Sequence, residues 1–83
     1  MKVKVVAVIG AGTMGAGIAQ ICAQRGWRTK LFDTSETSLQ NSLNSINSFW
    51  EKGILRGKTT REQSISWSKN LETHTDIAKA VSN

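Results

Sequence analysis

The sequence has one cysteine, one histidine, no tyrosine and no proline, and six acidic residues against eleven basic ones. A single thiol, Cys22, leaves no internal disulfide and no thiolate set for zinc, which fits a reducing compartment. The lone histidine, His74, has no evident acid or nucleophile partner and falls in a predicted strand, so it receives no catalytic role. A long apolar run is missing too. The run that follows Met1-Lys2-Val3-Lys4 is broken by Gly10 and Gly12, too short for a membrane span and badly punctuated for a signal peptide. The expectation is a soluble, cytoplasmic protein without a membrane partner. The shortage of acids leaves a net charge of +5, and Lys52, Arg56, Lys58 and Arg61 cluster. No aromatic residues are interleaved among them, so the pattern argues against nucleic acid. A solvated basic face accounts for it, and an anionic ligand such as a dinucleotide or a coenzyme A phosphate suits it better than DNA.

What is present is an alternation of strand and helix signals. Val3 to Ile9 is β-branched and almost continuously apolar, the pattern of a parallel strand buried on both faces. From Thr13 the period becomes helical, with Met14, Ile18, Ile21, Cys22 and Arg25 at spacings of three and four. Gly15, Ala19 and Cys22 add a face of small residues suited to close packing on a sheet, and Gly26 stands where a helix ends. Trp27 to Phe32 reads as a second strand that stops at Asp33. Thr34 and Ser35 are candidate N-caps for a helix with Leu39, Leu43, Ile46 and Trp50 on one stripe, ended by Gly53. Thr59 with Glu62, or Thr60 with Gln63, forms a capping box for a short helix reaching about Lys69. Leu71 to Thr75 reads as a third strand, and Asp76 as the cap of a last helix carrying Ile77, Ala80 and Val81. Such an order predicts an α/β, Rossmann-like parallel sheet with helices on both faces, cut off after about three strands. With 83 residues the chain is shorter than such a domain, which needs roughly 100–200. Residues 1–83 are therefore expected to be its N-terminal portion, with the remainder of the domain and any further domain absent.

Gly10-Ala11-Gly12-Thr13-Met14-Gly15 is a G-x-G-x-x-G, a weak signal alone. Here it leaves a strand and opens a helix, the context its mechanism requires. Gly10 allows the tight turn, Gly12 admits a pyrophosphate to the backbone, and Gly15 lets the helix lie against the strand. The first-turn N–H groups then face the phosphates, with the helix dipole adding ~0.3–1 kcal/mol. Asp33 lies 18 residues beyond Gly15, at the predicted end of the second strand. Its carboxylate can accept hydrogen bonds from the adenosine ribose and repels a 2′-phosphate. At about 4 Å and an effective dielectric near 20, each unit-charge pair costs roughly 4 kcal/mol before screening. No arginine adjoins Asp33, so NAD is favoured over NADP as cofactor. Cys22 reads as an inert core thiol, and Trp27, Trp50 and Trp67 read as packing residues.

The run from Val6 to Gln20, with Gly10-Ala11-Gly12-Thr13-Met14-Gly15-Ala16-Gly17-Ile18-Ala19-Gln20 at its centre, resembles the opening of 3-hydroxyacyl-CoA dehydrogenases, the 3-hydroxybutyryl-CoA dehydrogenases among them. The resemblance continues through Leu31-Phe32-Asp33, Glu51-Lys52-Gly53 and Gly57-Lys58-Thr59 to Leu71–Asp76, nearly the whole chain. It implies a two-domain oxidoreductase, with an NAD-binding domain followed by a helical domain that usually dimerises. Such enzymes interconvert 3-hydroxyacyl-CoA and 3-ketoacyl-CoA with NAD(H), a reaction of fatty acid metabolism. The family's catalytic histidine and its glutamate lie well past the end of this chain, and His74 does not match. Carried over are Gly10, Gly12 and Gly15 for the phosphates and Asp33 for the ribose, with Thr13 and Met14 lining the loop through their backbone. No catalytic residue and no metal ligand is carried over, and the fragment is expected to be inactive. The family's proline after the position of Thr59 is missing, and so are the fourth strand and its loop, which complete the cofactor crevice.

Two other readings stay open. The β-hydroxyacid dehydrogenases of the 3-hydroxyisobutyrate type share a G-x-G-x-M-G but lack the long excursion between Asp33 and Leu71. A non-enzymatic nucleotide-binding module is the alternative from a different class.

Overall fold

Parallel strands need crossovers of a dozen or more residues, and the chain supplies them as helices. In a computed structural model that describes residues 4–76, Val5–Ile9 form β1, Thr13–Gln24 α1 and Arg28–Phe32 β2. Glu36–Leu55 then form α2, Arg61–Ser68 α3 and Leu71–His74 β3. The sheet has three parallel strands in the order β1-β2-β3, so β2 is central. The α/β Rossmann-like reading holds. The final helix expected at Ile77 to Val81 lies outside the described residues.

Register sets what is buried. Val6, Val8 and Leu31 fall on one face, with Val8 opposite Leu31. Ala16, Ala19 and Ala23 of α1 and Leu39, Ile46 and Trp50 of α2 join Val8 and Leu31 in the core. Trp67 of α3 and Leu71 of β3 pack against its margin. The indole rings of Trp50 and Trp67 sit with centroids 5.5 Å apart, tilted by 53°. Trp50 also donates to Gln24 Oε1 at 3.0 Å, so its one polar atom is satisfied in the core. These tryptophans are packing residues, as the sequence suggests, and Cys22 is a buried thiol.

Four local expectations need correction. β1 is not buried on both faces, because Val5 (43%) and Ile9 (56%) are exposed while Val8 is covered. Among the described residues β1 has only β2 as a neighbour, which leaves its other edge open. The large apolar stripe of α1 does not face inward either: Met14, Ile18 and Ile21 are exposed, and the buried face is the one of small residues read for packing on the sheet, Gly15, Ala19 and Cys22, joined by Ala16 and Ala23. The helix lies so close to the sheet that only small residues fit between them. Gly53 does not end α2, which runs on to Leu55. The positive φ of +71° falls at Gly57, and the Gly53 carbonyl accepts the N–H groups of Lys58 and Thr59 at 2.9 and 3.3 Å. Lastly, the second strand starts at Arg28 rather than Trp27, whose ring is covered by Lys4 Nζ at 4.3 Å.

The helix starts follow their sequence signals. Ser35 caps α2, its side chain accepting the Ser38 N–H at 3.2 Å. Of the two overlapping boxes at α3, the one formed is Thr60 with Gln63: Thr60 Oγ1 accepts the Gln63 N–H at 3.1 Å, and Gln63 Oε1 accepts the Thr60 N–H at 3.0 Å. Thr60→Ala is accordingly expected to cost about 1 kcal/mol in urea unfolding, with Glu62→Ala well below that. Equal losses from the two variants would mean that the other box forms in solution.

Candidate functional site

The site grows from the end of β1. Gly10 donates its N–H to the Phe32 carbonyl at 2.8 Å, which keeps the chain paired to β2 as the turn begins. Its φ of +98° is a conformation that side-chain-bearing residues rarely adopt. Gly12 is the N-cap of α1 and offers no side-chain cap. A β-carbon there would meet nothing within 4 Å, so the backbone stands open to an approaching group. Gly15 has the opposite surroundings. A β-carbon on it would stand 1.8 Å from the Gly10 carbonyl oxygen.

The first intrahelical bond runs from the Ala16 N–H to the Gly12 carbonyl at 2.8 Å. The N–H groups of Thr13, Met14 and Gly15 meet no acceptor among the described residues. A helix start of this kind, open above Gly12, suits an anionic oxygen. Asp33 follows the last residue of β2 and stands beside the loop. Its Oδ2 accepts the Ala11 N–H at 3.0 Å and its Oδ1 accepts the Ser35 N–H at 2.9 Å. Those backbone donors, Ser35 first and Ala11 next, hold its carboxyl below the usual carboxylate range. Each oxygen still has a lone pair to offer a hydroxyl.

Gly10, Gly12, Thr13, Met14, Gly15 and Asp33 are thus brought together at the ends of β1 and β2. The residue that the sequence reading passed over is Ser42 of α2. It is buried, and its Oγ donates to the Ala11 carbonyl. The only sequence signal for it was a small polar residue beside an apolar stripe in a segment full of serines. Between α1 and α2 runs a groove of about 420 Å³, with Gly12 and Thr13 at one end and Phe49 in its lining. His74 ends β3 and takes part through its main chain, its carbonyl accepting the Asp33 N–H at 3.2 Å. In the basic cluster, Arg61 is paired with Glu51 at 2.9 Å. Among the described residues there is no group of three or more His, Cys, Asp or Glu able to hold a metal. No described helix is long and apolar enough to cross a membrane.

A parallel strand, a glycine turn with open helix amides and an acid at the end of the next strand define an α/β domain of the dinucleotide-binding type. Comparison with known proteins makes this specific. The chain belongs to the 3-hydroxyacyl-CoA dehydrogenase family: the family model described as "3-hydroxyacyl-CoA dehydrogenase, NAD binding domain" matches residues 5–83. It is 40% identical over 77 residues to the 3-hydroxyadipyl-CoA dehydrogenase of Escherichia coli K12, covering 93% of this chain and 16% of that protein. Against the probable 3-hydroxybutyryl-CoA dehydrogenase of Bacillus subtilis it is 32% identical, covering 93% of this chain and 30% of that protein. The crystal structure of 3-hydroxybutyryl-CoA dehydrogenase from Escherichia coli K12 superposes with a TM-score of 0.89 at 39% identity, over 95% of this chain and 17% of that one. The chain therefore spans less than a third of each of these relatives, between 16% and 30% of their length.

Proposed function

We propose that this chain is the N-terminal portion of the NAD-binding domain of an enzyme that interconverts 3-hydroxyacyl-CoA and 3-ketoacyl-CoA. Gly10, Gly12 and Gly15 shape the loop for the pyrophosphate, the backbone of Thr13 and Met14 lines it, and Asp33 receives the adenosine ribose. The observation that carries this reading is the bond from the Ala11 N–H to Asp33 Oδ2. It locks the acid expected to hold the ribose onto the loop expected to hold the phosphates. The residues fit the cofactor, with a free helix start, an open approach at Gly12 and unspent lone pairs on an ionised Asp33. When bound, NAD supplies the acceptor for the hydride from carbon 3 of the substrate, while the hydroxyl proton passes to a base outside this chain. The chain's own part is to bind and orient.

Family membership favours this enzyme over the two alternatives left open by the sequence. Acyl-CoA as substrate and a dimeric parent follow from the same resemblance, and the cytoplasmic site proposed with them rests on the single thiol, Cys22. The test is an assay of the complete protein with NADH and 3-ketoacyl-CoA esters of several chain lengths. Oxidation of NADH with at least one ester, and a slower rate with NADPH, is the expected result. No turnover of any ester, in a protein that binds NAD, would refute the substrate class and leave the cofactor standing.

A further inference from the structure

Two successive peptide planes decide where the loop's donors point. The first joins Gly10 to Ala11. Its carbonyl packs against the bare α-carbon of Gly15, and its N–H is taken by Asp33 Oδ2 at 3.0 Å. The second joins Ala11 to Gly12. Its carbonyl accepts the Ser42 hydroxyl, and in a trans peptide the N–H points the opposite way. A carbonyl drawn inward to α2 therefore turns the Gly12 N–H outward. Glycine on both sides of Ala11 leaves these planes few steric barriers to rotation, so something must hold them.

Ser42 is 5% exposed and Ala11 is 3% exposed, so their bond is shielded from water. It also closes a ring. Asp33 binds the N–H groups of Ala11 and Ser35, Ser35 caps α2 through the Ser38 N–H, and α2 returns to Ala11 through Ser42.

We propose that Ser42 is a positioning residue for the cofactor loop. It fixes the Ala11–Gly12 peptide so that the Gly12 N–H and the first-turn amides of α1 stay aimed at the pyrophosphate, and it ties that aim to the ribose contact of Asp33. The inference rests on the nucleotide reading above. Ser42→Ala removes one oxygen, leaves the Ala11 carbonyl buried and unpaired, and frees the plane to rotate.

The experiment is calorimetric titration of the complete protein, as wild type, Ser42→Ala and Ser42→Thr, with NAD and with adenosine. Ser42→Ala is expected to weaken NAD about tenfold, the usual scale for a lost buried hydrogen bond. Adenosine has no pyrophosphate and should change less than twofold, while Ser42→Thr keeps the hydroxyl and should recover most of the loss. In the unliganded protein, the Gly12 amide resonance should move more in Ser42→Ala than that of Ala19. NAD affinity within twofold of wild type in Ser42→Ala would overturn the proposal. So would equal losses for NAD and adenosine, or a Gly12 amide that stays in place, since a merely structural serine gives those results. A wild-type protein that binds neither ligand would instead bring down the nucleotide reading itself.

Discussion

Gly15→Ala is expected to destabilise the protein by about 3 kcal/mol or more, and to abolish measurable NAD binding in whatever fraction still folds. The added β-carbon would lie 1.8 Å from the Gly10 carbonyl oxygen and 3.0 Å from its carbon. Both are main-chain atoms, so no side chain can swing aside. Either α1 lifts from the sheet or the loop changes path. Lifting α1 opens the contacts of Ala16, Ala19 and Ala23 with the core, and changing the loop strips the Ala11 N–H from Asp33. Overpacking usually costs ~1–3 kcal/mol, and a backbone clash belongs at the top of that range or beyond it. Gly17→Ala is the control. It lies two residues on in the same helix, with nothing within 4 Å of its β-carbon position. Removing a helical glycine there should stabilise by about 0.5–1 kcal/mol. Guanidinium unfolding of both variants reads the difference, and a Gly15→Ala protein as stable as wild type would show that α1 and β1 are not in this contact.

The same closeness explains what the sequence could and could not reveal. Element order, parallel sheet, the caps at Ser35 and Thr60 and the glycine turn were all legible, because each is governed by residues near one another in the chain. The stripe of α2 was legible too, since Leu39, Ile46 and Trp50 are large and buried where the period puts them. On α1 the face of small residues, Gly15, Ala19 and Cys22, was legible and is buried. The large residues that mark the helical period, Met14, Ile18 and Ile21, stand outside because distance to the sheet decides. Gly53 looked like a helix end. Its lack of a side chain instead makes room for Thr59, whose Oγ1 would stand 2.9 Å from a β-carbon there. Ser42 was invisible for a further reason. Its partner Ala11 is 31 positions away, and nothing about an alanine advertises that its carbonyl needs a donor. The six candidate site residues could be named because a glycine pattern and an acid at fixed distance are local statements. The bond that joins them is not local, and only the fold displays it.

Replacing Asp33 should produce the second large effect, because one carboxylate holds the Ala11 and Ser35 N–H groups and is the group proposed to receive the ribose. Asp33→Ala leaves the Ala11 and Ser35 N–H groups without their acceptor and removes the contact proposed for the ribose. Hydrogen bonds to a charged group are each worth ~1.5–3 kcal/mol, so the loss of the ribose contact alone predicts an NAD affinity weaker by about 10–100-fold. NADP should respond differently, since the same change also lifts the repulsion of its 2′-phosphate. The ratio of NADP to NAD dissociation constants is therefore expected to fall at least about tenfold, and an unchanged ratio would reject the ribose role for Asp33. Asp33→Asn separates charge from geometry: it keeps one oxygen for the Ala11 or the Ser35 N–H, but turns an amide toward the other. If repulsion sets the preference, the ratio falls in Asp33→Asn as far as in Asp33→Ala, even though the loop is better held. Acid should reproduce the effect. The folded-state pKa of Asp33 lies below its unfolded value, so its clamp on the loop is fully present above the unfolded value and lost only as pH falls through the folded one. In a carbon-detected NMR titration the Asp33 carboxyl should titrate below the ordinary aspartate range. With Asp33→Ala as reference, the stability difference should be full above the ordinary aspartate range, shrink as pH falls from that range through the folded-state value, and be gone beneath it. A carboxyl that titrates normally would mean the two backbone donors are not held against it in solution, and the ring through Ala11, Ser35 and Ser42 would then be open.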